Sequence, residues 1–371
     1  MHGNTIHRRI QAASSQSESE PSTPTTTSAK SIIPLPYQNT RNSMKFLIDN
    51  KNHLTGDQRL KAIILHKASL AYFCLMNQCE QEKNYGSCLR YLRLALNCYN
   101  AQLKLQSTSN ESKKLLSHII GLAGDIRLMI SHVITNEDQD KFREQYQSQL
   151  NIDLEIENLV NEIGIDEQTT DFSWIYELTT SIERNLQASV NAYEYAINLI
   201  RNLNENTDER LNLLLKRLGN VRNEFGVYWM KHCAQALRSS NQDSNTIKEY
   251  FRKSFDNFEL GIVNFDKIHD LTNVALLNSN LGRLMRYHAE FSQPNIDGQS
   301  QEFTQQERQS YQKSFEYYLR GLKLVENRTD LFEIYRTLSW ELSNSYFAMA
   351  ISLQDHAPLS TISQEDVSEL I

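Results

Sequence analysis

The chain has 371 residues, a formal net charge of -7 and a pI near 5.9, a balance that argues against a general binder of phosphate backbones. It contains only 6 prolines and 12 glycines, and most of the prolines stand near the start. Since a sheet protein of this length needs many more turn residues, the composition predicts an all-α fold. The length suits two or three compact domains or one elongated array of repeats.

Residues 1–54 form the first segment, which is rich in Ser, Thr, Gln and Pro. A segment of this composition buries too little apolar surface to offset the entropy of ordering, so we expect a disordered tail. The start lacks the apolar core of a signal peptide, and no apolar run approaches the ~20 residues that span a bilayer. The 5 cysteines lack metal-binding spacing, which favours small buried side chains in a reducing compartment. These features predict an intracellular protein without a membrane segment.

A helical region begins near residue 55 and carries two recurring patterns. The first is small-x3-large-x2-small, which lets one helix nest against another while the large side chain fills the space between them. The second is a Leu-Gly type pair on a longer apolar stripe, and its strongest example contains Gly219 and Gly226. Because an interior glycine costs a helix roughly 1 kcal/mol relative to alanine, we expect another backbone to pack closely there. The first pattern occurs at Cys88-Leu92-Ala95, Ser189-Tyr193-Ala196, Ser254-Phe258-Gly261 and Ser314-Tyr318-Gly321.

The two kinds of helix alternate as in the tetratricopeptide (TPR) repeat, in which the Leu-Gly helix comes first. Gly219 to Gly282 is 63 residues and Gly282 to Ser343 is 61, whereas a standard repeat has ~34. We therefore predict an irregular TPR-like α-solenoid of stacked antiparallel helix pairs over residues 55–371. The Leu-Gly helices centre on Ala123-Gly124, Leu218-Gly219, Leu281-Gly282 and Leu342-Ser343.

Local signals mark helix starts in the last third of the chain. Thr304 with Glu307 predicts a capping box, and Asp330 with Glu333 predicts another. Ser363 opens a further predicted helix, and the sequence ends inside it. Since an unfinished last helix leaves an apolar face uncovered, we expect the chain to be a piece of a longer protein.

An acidic segment at about residues 136–171 interrupts the array. It has eleven acidic and two basic residues, a net charge of -9, and its apolar residues are interleaved with the acids. One interpretation is a solvated insertion between repeat helices. The other is an amphipathic segment that binds a partner, or that lies along the chain's own groove and competes with an acidic-hydrophobic partner.

Four motifs in the second half resemble the TPR region of the erythroid differentiation-related factor family. The resemblance is clear from about Leu211 to Ser360 and thinner from Gly56 to Ile200. It implies a role in nuclear regulation of transcription during erythroid differentiation, and it brings no catalytic residues. Family members are much longer and have a large separate N-terminal region, whose activity these residues are not expected to carry. The motifs are RLGNVRNEFGVYWM (217–230), TNVALLNSNLGRLMR (272–286), SWELSNSYFAMA (339–350) and QDHAPLS (354–360).

The sequence contains none of the motifs of phosphate-binding loops, dinucleotide folds, serine hydrolases or zinc proteases. It therefore predicts a protein that is not an enzyme and needs no cofactor or metal. Basic residues stand among acids on their helices, so we expect no direct contact with nucleic acid. The predicted function is a scaffold that binds proteins or peptides, with transcription factors among the candidate partners. The alternative is a cytosolic TPR adaptor or co-chaperone that binds acidic or C-terminal peptides.

In a TPR array the first helix of each pair lines the concave side, where its exposed residues contact the partner. Lys216, Asn220 and Asn280 resemble part of the clamp by which co-chaperone TPR domains hold a C-terminal carboxylate. The third repeat of such a clamp needs a lysine and an arginine, but here those places hold Thr337 and Glu341, and a glutamate repels a carboxylate. The predicted lining consists of Lys216, Asn220, Asn223, Asn280, Arg283, Arg286, Trp340 and Asn344.

Overall fold

A computed structural model of the chain describes residues 58–105, 109–133, 139–148, 151–163, 171–203, 208–238, 244–291 and 303–356. The predicted N-terminal tail and the predicted helix after Ser363 lie outside these residues. Within them the chain forms twelve α-helices, one short 3-10 turn and no strand, which confirms the all-α prediction.

Long helices make up most of the described chain, and nine of the twelve span at least 20 residues. Their length is one reason why the repeat period exceeds that of a standard TPR. The helices are α1 Gln58–Gln81, α2 Tyr85–Leu105, α3 Asn110–Val133, α4 Gln139–Gln147, α5 Asn151–Ile163, α6 Ser173–Tyr176, α7 Ile182–Arg201, α8 Asp208–Arg238, α9 Ser244–Asp266, α10 Leu271–Phe291, α11 Gln305–Val325 and α12 Phe332–His356.

The long helices pack in pairs, and the pairs stack. The pairs are α1 with α2, α3 with α7, α8 with α9 and α10 with α11, and α12 follows the last pair. The second helix of each pair also packs against the first helix of the next. This arrangement confirms the predicted solenoid, in which each small-x3-large-x2-small helix follows its partner.

A hydrogen bond between the two helices recurs in all four pairs. The small residue that opens the small-x3-large-x2-small pattern donates to a backbone carbonyl of the first helix. Because donor and acceptor are both buried, each bond satisfies groups that water cannot reach. The bonds run from Cys88 Sγ to Met76 O (3.6 Å), from Ser189 Oγ to Gly124 O (2.7 Å), from Ser254 Oγ to Gly226 O (2.8 Å) and from Ser314 Oγ to Gly282 O (2.7 Å).

The two glycines of α8 lie against aromatic rings. A Cβ added at Gly226 would stand 2.5 Å from Cε1 of Phe258, and one at Gly219 would stand 2.6 Å from Cζ of Phe265. The rings take the space that side chains would need, and the backbone of α9 also comes close as expected, since a Cβ added at Gly261 would stand 3.6 Å from Gly219 O. Because the serine of α9 donates to Gly226, this glycine is the structural equivalent of Gly282. The predicted register, which equated Gly219 with Gly282, is seven residues off.

The acidic insertion lies between the two helices of the second pair and packs on α2. Tyr72 Oη donates to Asp153 Oδ1 over 3.1 Å, and Arg93 Nη2 donates to Glu157 Oε1 over 2.9 Å. Helices α4, α5 and α6 all contact α2, which is the second helix of its pair. The hypothesis that this segment lies along the chain's own groove is therefore wrong, because the groove belongs to the first helices.

Arg127 of α3 donates hydrogen bonds to the segment that follows the insertion. Its side chain is fully buried and donates to Ile175 O over 2.7 Å, to Glu177 O over 2.5 Å and to Asn185 Oδ1 over 2.8 Å. Burial lowers the pKa of the guanidinium to about 10, so the group stays charged at neutral pH. One arginine thus ties α6 and the start of α7 to α3.

The two predicted capping boxes differ in outcome. Thr304 Oγ1 accepts from the backbone of Glu307, whose carboxylate accepts from the backbone of Thr304, so this box is confirmed. Asp330 lies inside the 3-10 turn before α12, and its carboxylate accepts from Arg328 instead. The box predicted from Asp330 and Glu333 is therefore wrong.

The cysteines are free thiols, and four of the five are buried as expected, whereas Cys74 is exposed. Burial raises the pKa of Cys79 and of Cys233 to about 11. Thiols with such pKa values are poor nucleophiles at neutral pH, which agrees with a packing role.

Helix α12 presents an apolar stripe to solvent. Its Leu338 contacts α11 in the same way as Leu277 of α10 contacts α9. Ser343 follows Leu338 by five residues, as Gly282 follows Leu277, so Ser343 and Gly282 hold equivalent positions. Ser343 is exposed, whereas Gly282 lies beneath α11. The side of α12 that a second helix covers in the earlier pairs is thus open in the described part of the chain. Its exposed apolar residues include Phe332, Trp340, Phe347 and Ile351.

Candidate functional site

The first helices of the stacked pairs, α1, α3, α8 and α10, share one face with α12, which we call the groove face. Two cavities lie on it. One of about 510 Å³ is lined by α1, α3 and α8, and the other, of about 360 Å³, mainly by α3, α8, α10 and α12. Leu128 lines both, so the cavities adjoin. We call the second one the asparagine cavity, because four asparagines line it.

Aliphatic and aromatic side chains form the floor of the asparagine cavity. Phe265, Leu277 and Ile334 are buried, and Leu128 and Leu276 are half-buried beside them. They come from four different helices, because each element places apolar residues every three or four positions on its inner side. Apolar pockets of this size accept a side chain of a ligand.

Amide side chains form much of the wall. Asn280 Nδ2 donates to Asn223 Oδ1 over 2.8 Å, which links α10 to α8. Asn220 is exposed at the rim, and Asn273 donates to Asp270 Oδ2 over 2.8 Å. An asparagine carries both a donor and an acceptor, so it matches the two hydrogen-bonding groups of a peptide unit.

The charged residues of this region are paired with each other. Glu341 of α12 accepts from Arg283 over 2.7 Å and from Arg286 over 3.4 Å. Lys216 Nζ lies 3.5 Å from a carboxylate oxygen of Asp270. The basic lining expected from the sequence is therefore largely neutralised by carboxylates of the same chain.

The ion pair of Arg283 with Glu341 is buried enough to shift the pKa of the arginine. Burial alone would lower the pKa of the Arg283 guanidinium, but the Glu341 carboxylate, together with nearby tyrosines, outweighs it and raises the pKa above its ordinary value. The guanidinium is thus held in its charged form by Glu341. Glu341 is a structural counterion on the groove face.

Replacing Glu341 with glutamine should make the groove face more attractive to anions. Glu341→Gln removes the carboxylate between Arg283 and Arg286, so we expect a hexaglutamate peptide to bind about five-fold more tightly at low salt, an effect of roughly 1 kcal/mol. Fluorescence anisotropy of the labelled peptide measures this change. Glu316→Gln on the outer helix α11 is the control and should leave the affinity unchanged. Equal affinities for Glu341→Gln and the wild type would mean that the arginines are not available to a ligand.

Most of the predicted lining comes together in the asparagine cavity. Arg286 does not line it but shares Glu341 with Arg283. The residues that line it are Lys216, Asn220, Asn223, Asn280 and Arg283. Their role in binding stays a prediction.

The two predicted residues of α12 lie elsewhere. Trp340 is 68% exposed, and neither it nor Asn344 lines the asparagine cavity. Helix α12 instead presents Ile334, Thr337 and Glu341, which are spaced three and four apart. Because adjacent helical residues point about 100° apart, the position before Glu341 faces away from this cavity.

The 510 Å³ cavity contains an ion pair that the sequence did not reveal. Asp125 of α3 pairs with Arg217 of α8 and accepts a 2.5 Å hydrogen bond from Tyr193. Burial raises the pKa of the Asp125 carboxyl, although Arg217 and Tyr193 partly offset this shift. A signal existed, since Asp125 directly follows the packed Gly124 and so stands at the edge of the interface.

The described residues contain no cluster of side chains that could hold a metal ion and no helix that could span a membrane. Among them, no group of three or more His, Cys, Asp or Glu side chains is arranged to hold a metal ion. None of the helices in these ranges combines the length and apolarity needed to cross a bilayer.

Residues 214–370 match the protein family described as "Erythroid differentiation-related factor 1-like, TPR repeats". Over 318 residues, or 84% of the chain, the sequence is 33% identical to Erythroid differentiation-related factor 1 of Homo sapiens and to that of Mus musculus. The repeat region belongs to the erythroid differentiation-related factor family. The Pongo abelii protein of the same name shows the same identity over the same share of the chain.

The match covers only part of these relatives. The aligned residues make up 25% of the human and mouse Erythroid differentiation-related factor 1 and 26% of the Pongo abelii protein. The chain thus spans about a quarter of the length of these family members. The family description assigns TPR repeats to residues 214–370, and TPR repeats in general mediate binding between proteins.

Proposed function

We propose that this repeat region is a non-enzymatic scaffold that binds protein partners on its groove face and acts in the nuclear regulation of transcription. The observation that carries the binding role is the asparagine cavity, where apolar and amide side chains from several stacked helices meet. A segment of another protein suits such a site, because the cavity offers apolar contact and hydrogen bonds to a main chain. The regulatory part rests on the relatives, whose name links them to erythroid differentiation.

The alternative is a cytosolic TPR adaptor that binds acidic or C-terminal peptides. Its clamp needs a lysine and an arginine on the last of the three helices. Here Thr337 and Glu341 line the cavity, and Glu341 already occupies the arginines of α10. The position of Glu341 disfavours a carboxylate ligand and thereby supports the scaffold over the adaptor.

The test is affinity purification from nuclear and cytosolic extracts with the full chain as bait. Asn220→Trp places an indole at the rim of the asparagine cavity without disturbing the core, because Asn220 is exposed. Asn191→Trp makes the same exchange on the exposed side of α7 and is the matched control.

We expect transcription factors or chromatin proteins to be captured by the wild type and Asn191→Trp but at least ten-fold less by Asn220→Trp. Capture of chaperones with the same dependence on Asn220 would favour the adaptor. Partners that bind all three proteins equally would contradict binding on the groove face.

A further inference from the structure

We infer that the asparagine cavity takes an extended, uncharged peptide, whose main chain is bound by the asparagine amides and which places one apolar side chain on the floor. The peptide is a segment of the protein partner proposed above, so this assignment rests on that function. The charges, the amides and the floor of the cavity each support one part of it.

The charges of the cavity exclude a strongly charged ligand. The lysine and the arginine that line the cavity each lie beside a carboxylate of the same chain. Lys216 pairs with Asp270, and Arg283 pairs with Glu341. The remaining acid, Glu224, lies 3.9 Å from a ring nitrogen of a histidine on α3. An acidic or basic ligand side chain would have to break one of these pairs or bury its charge without a partner, and both are unfavourable.

The amides offer the groups that a main chain needs. The bond from Asn280 to Asn223 uses the oxygen of Asn223 and one hydrogen of Asn280. The oxygen of Asn280 and the NH₂ group of Asn223 then remain as an acceptor and a donor, and Asn220 adds another amide at the rim. A peptide unit presents one N–H and one C=O, so it can satisfy this set without any charge.

The floor selects an apolar side chain. Leu276, Leu277 and Ile334 lie beneath the amides, and a ligand methylene group buried on them contributes about 0.8 kcal/mol. A polar side chain in the same place would lose its hydrogen bonds to water and gain none from the floor. The amides therefore bind any peptide, and the floor supplies the preference for leucine, isoleucine, valine or phenylalanine.

The amide wall favours an extended peptide over a helix. A helix satisfies its own main-chain groups, which would leave the asparagine amides without partners. An extended chain exposes its main-chain groups to those amides.

The neighbouring 510 Å³ cavity extends the same type of surface. It shares Leu128, and the ion pair of Asp125 with Arg217 lies in it. An extended peptide leaving the asparagine cavity therefore meets a second cavity on the groove face, in which one acid and one base are already paired.

The experiment is a selection from a library of random, unstructured 12-residue peptides on the immobilised full chain. Binders that Asn220→Trp also retains are removed by counter-selection. Selected peptides are then measured by anisotropy against the wild type, Asn223→Leu, Asn280→Leu and Glu341→Gln, after circular dichroism has shown that each variant melts as the wild type does.

We expect the selected peptides to be near zero net charge and to share one aliphatic or aromatic residue. Their affinity should fall about ten-fold in Asn223→Leu or Asn280→Leu and change less than two-fold in Glu341→Gln or between 50 and 500 mM NaCl. If Asn280→Leu melts early, Asn223→Leu and Asn220→Trp still decide the outcome.

Two results overturn the assignment and differ in what they mean for the function. Selected peptides that are acidic and lose affinity in salt would show that the groove face binds partners of other chemistry, so the scaffold function would stand. A library from which no peptide depends on Asn220 would remove both the peptide assignment and the proposed binding on this face.

Discussion

Gly282→Leu is expected to lower the free energy of unfolding by about 3 kcal/mol. A Cβ at this position would stand 2.8 Å from two ring carbons of Tyr318, which is fully buried between α10 and α11. Ser314 donates to the carbonyl of the same glycine, so the helices cannot separate without losing that bond. Urea denaturation followed by circular dichroism measures the change.

Ser343→Leu is the matched control. Ser343 holds the position of Gly282 in α12, five residues after the leucine that contacts the preceding helix, but it is exposed. A leucine there should change the stability by no more than about 0.5 kcal/mol. If the two variants unfold at the same urea concentration, the register that equates Ser343 with Gly282 is wrong.

Arg127→Met should destabilise the protein by about 3–5 kcal/mol. Methionine fills much of the volume but leaves Ile175 O, Glu177 O and Asn185 Oδ1 without their buried donor, and each orphaned acceptor costs about 1–3 kcal/mol. Since α6 and the start of α7 depend on these bonds, we also expect proteases to cut within residues 171–181 before the rest of the array unfolds. Urea denaturation and limited proteolysis with mass spectrometry report the two effects.

Arg143→Met controls for the loss of an arginine from the same part of the chain. Arg143 pairs with Asp140 on α4, but both side chains are more than half exposed, so the loss should be close to zero. Arg127→Met with unchanged stability and unchanged cleavage would mean that water replaces the guanidinium at the three acceptors.

The pairing of helices could be predicted because it depends on local patterns. Small residues spaced around a large one recur four times, and in each pair the structure uses the first small residue as a donor. The register within α8 could not be predicted, because Gly219 and Gly226 are seven residues apart and lie on the same side of the helix. Both contact phenyl rings, and only the hydrogen bond of Ser254 shows which of them corresponds to Gly282.

The lining of the groove face could be predicted in part, for a similar reason. Helical spacing was enough to bring the residues of α8 and most of those of α10 to one cavity, but α12 lines it with Ile334, Thr337 and Glu341 rather than with Trp340 and Asn344. The charge state of the surface could not be predicted. Arg283 and Glu341 are 58 residues apart, and no sequence pattern shows that two side chains on different helices will meet.

The acidic insertion shows the same difficulty with charge. Its net charge predicted contact with basic side chains but could not show which basic side chains those would be. The structure pairs Glu157 with Arg93 of α2, while Phe142 and Ile156 are buried among its apolar contacts. Apolar burial, rather than the long-range attraction of opposite charges, decides where this segment lies, since exposed charges are screened by salt and buried side chains are not.

The place of the insertion also bears on how the array forms. Helices α3 and α7 must find each other across residues 134–181, whereas α10 and α11 are separated by residues 292–304 only. Closing the longer loop costs roughly 1 kcal/mol more in chain entropy before any contact compensates for it. Contacts between residues far apart in sequence form slowly, so the second pair should assemble after its neighbours. Until Arg127 meets its acceptors, the chain would consist of two helical stacks joined by an open hinge.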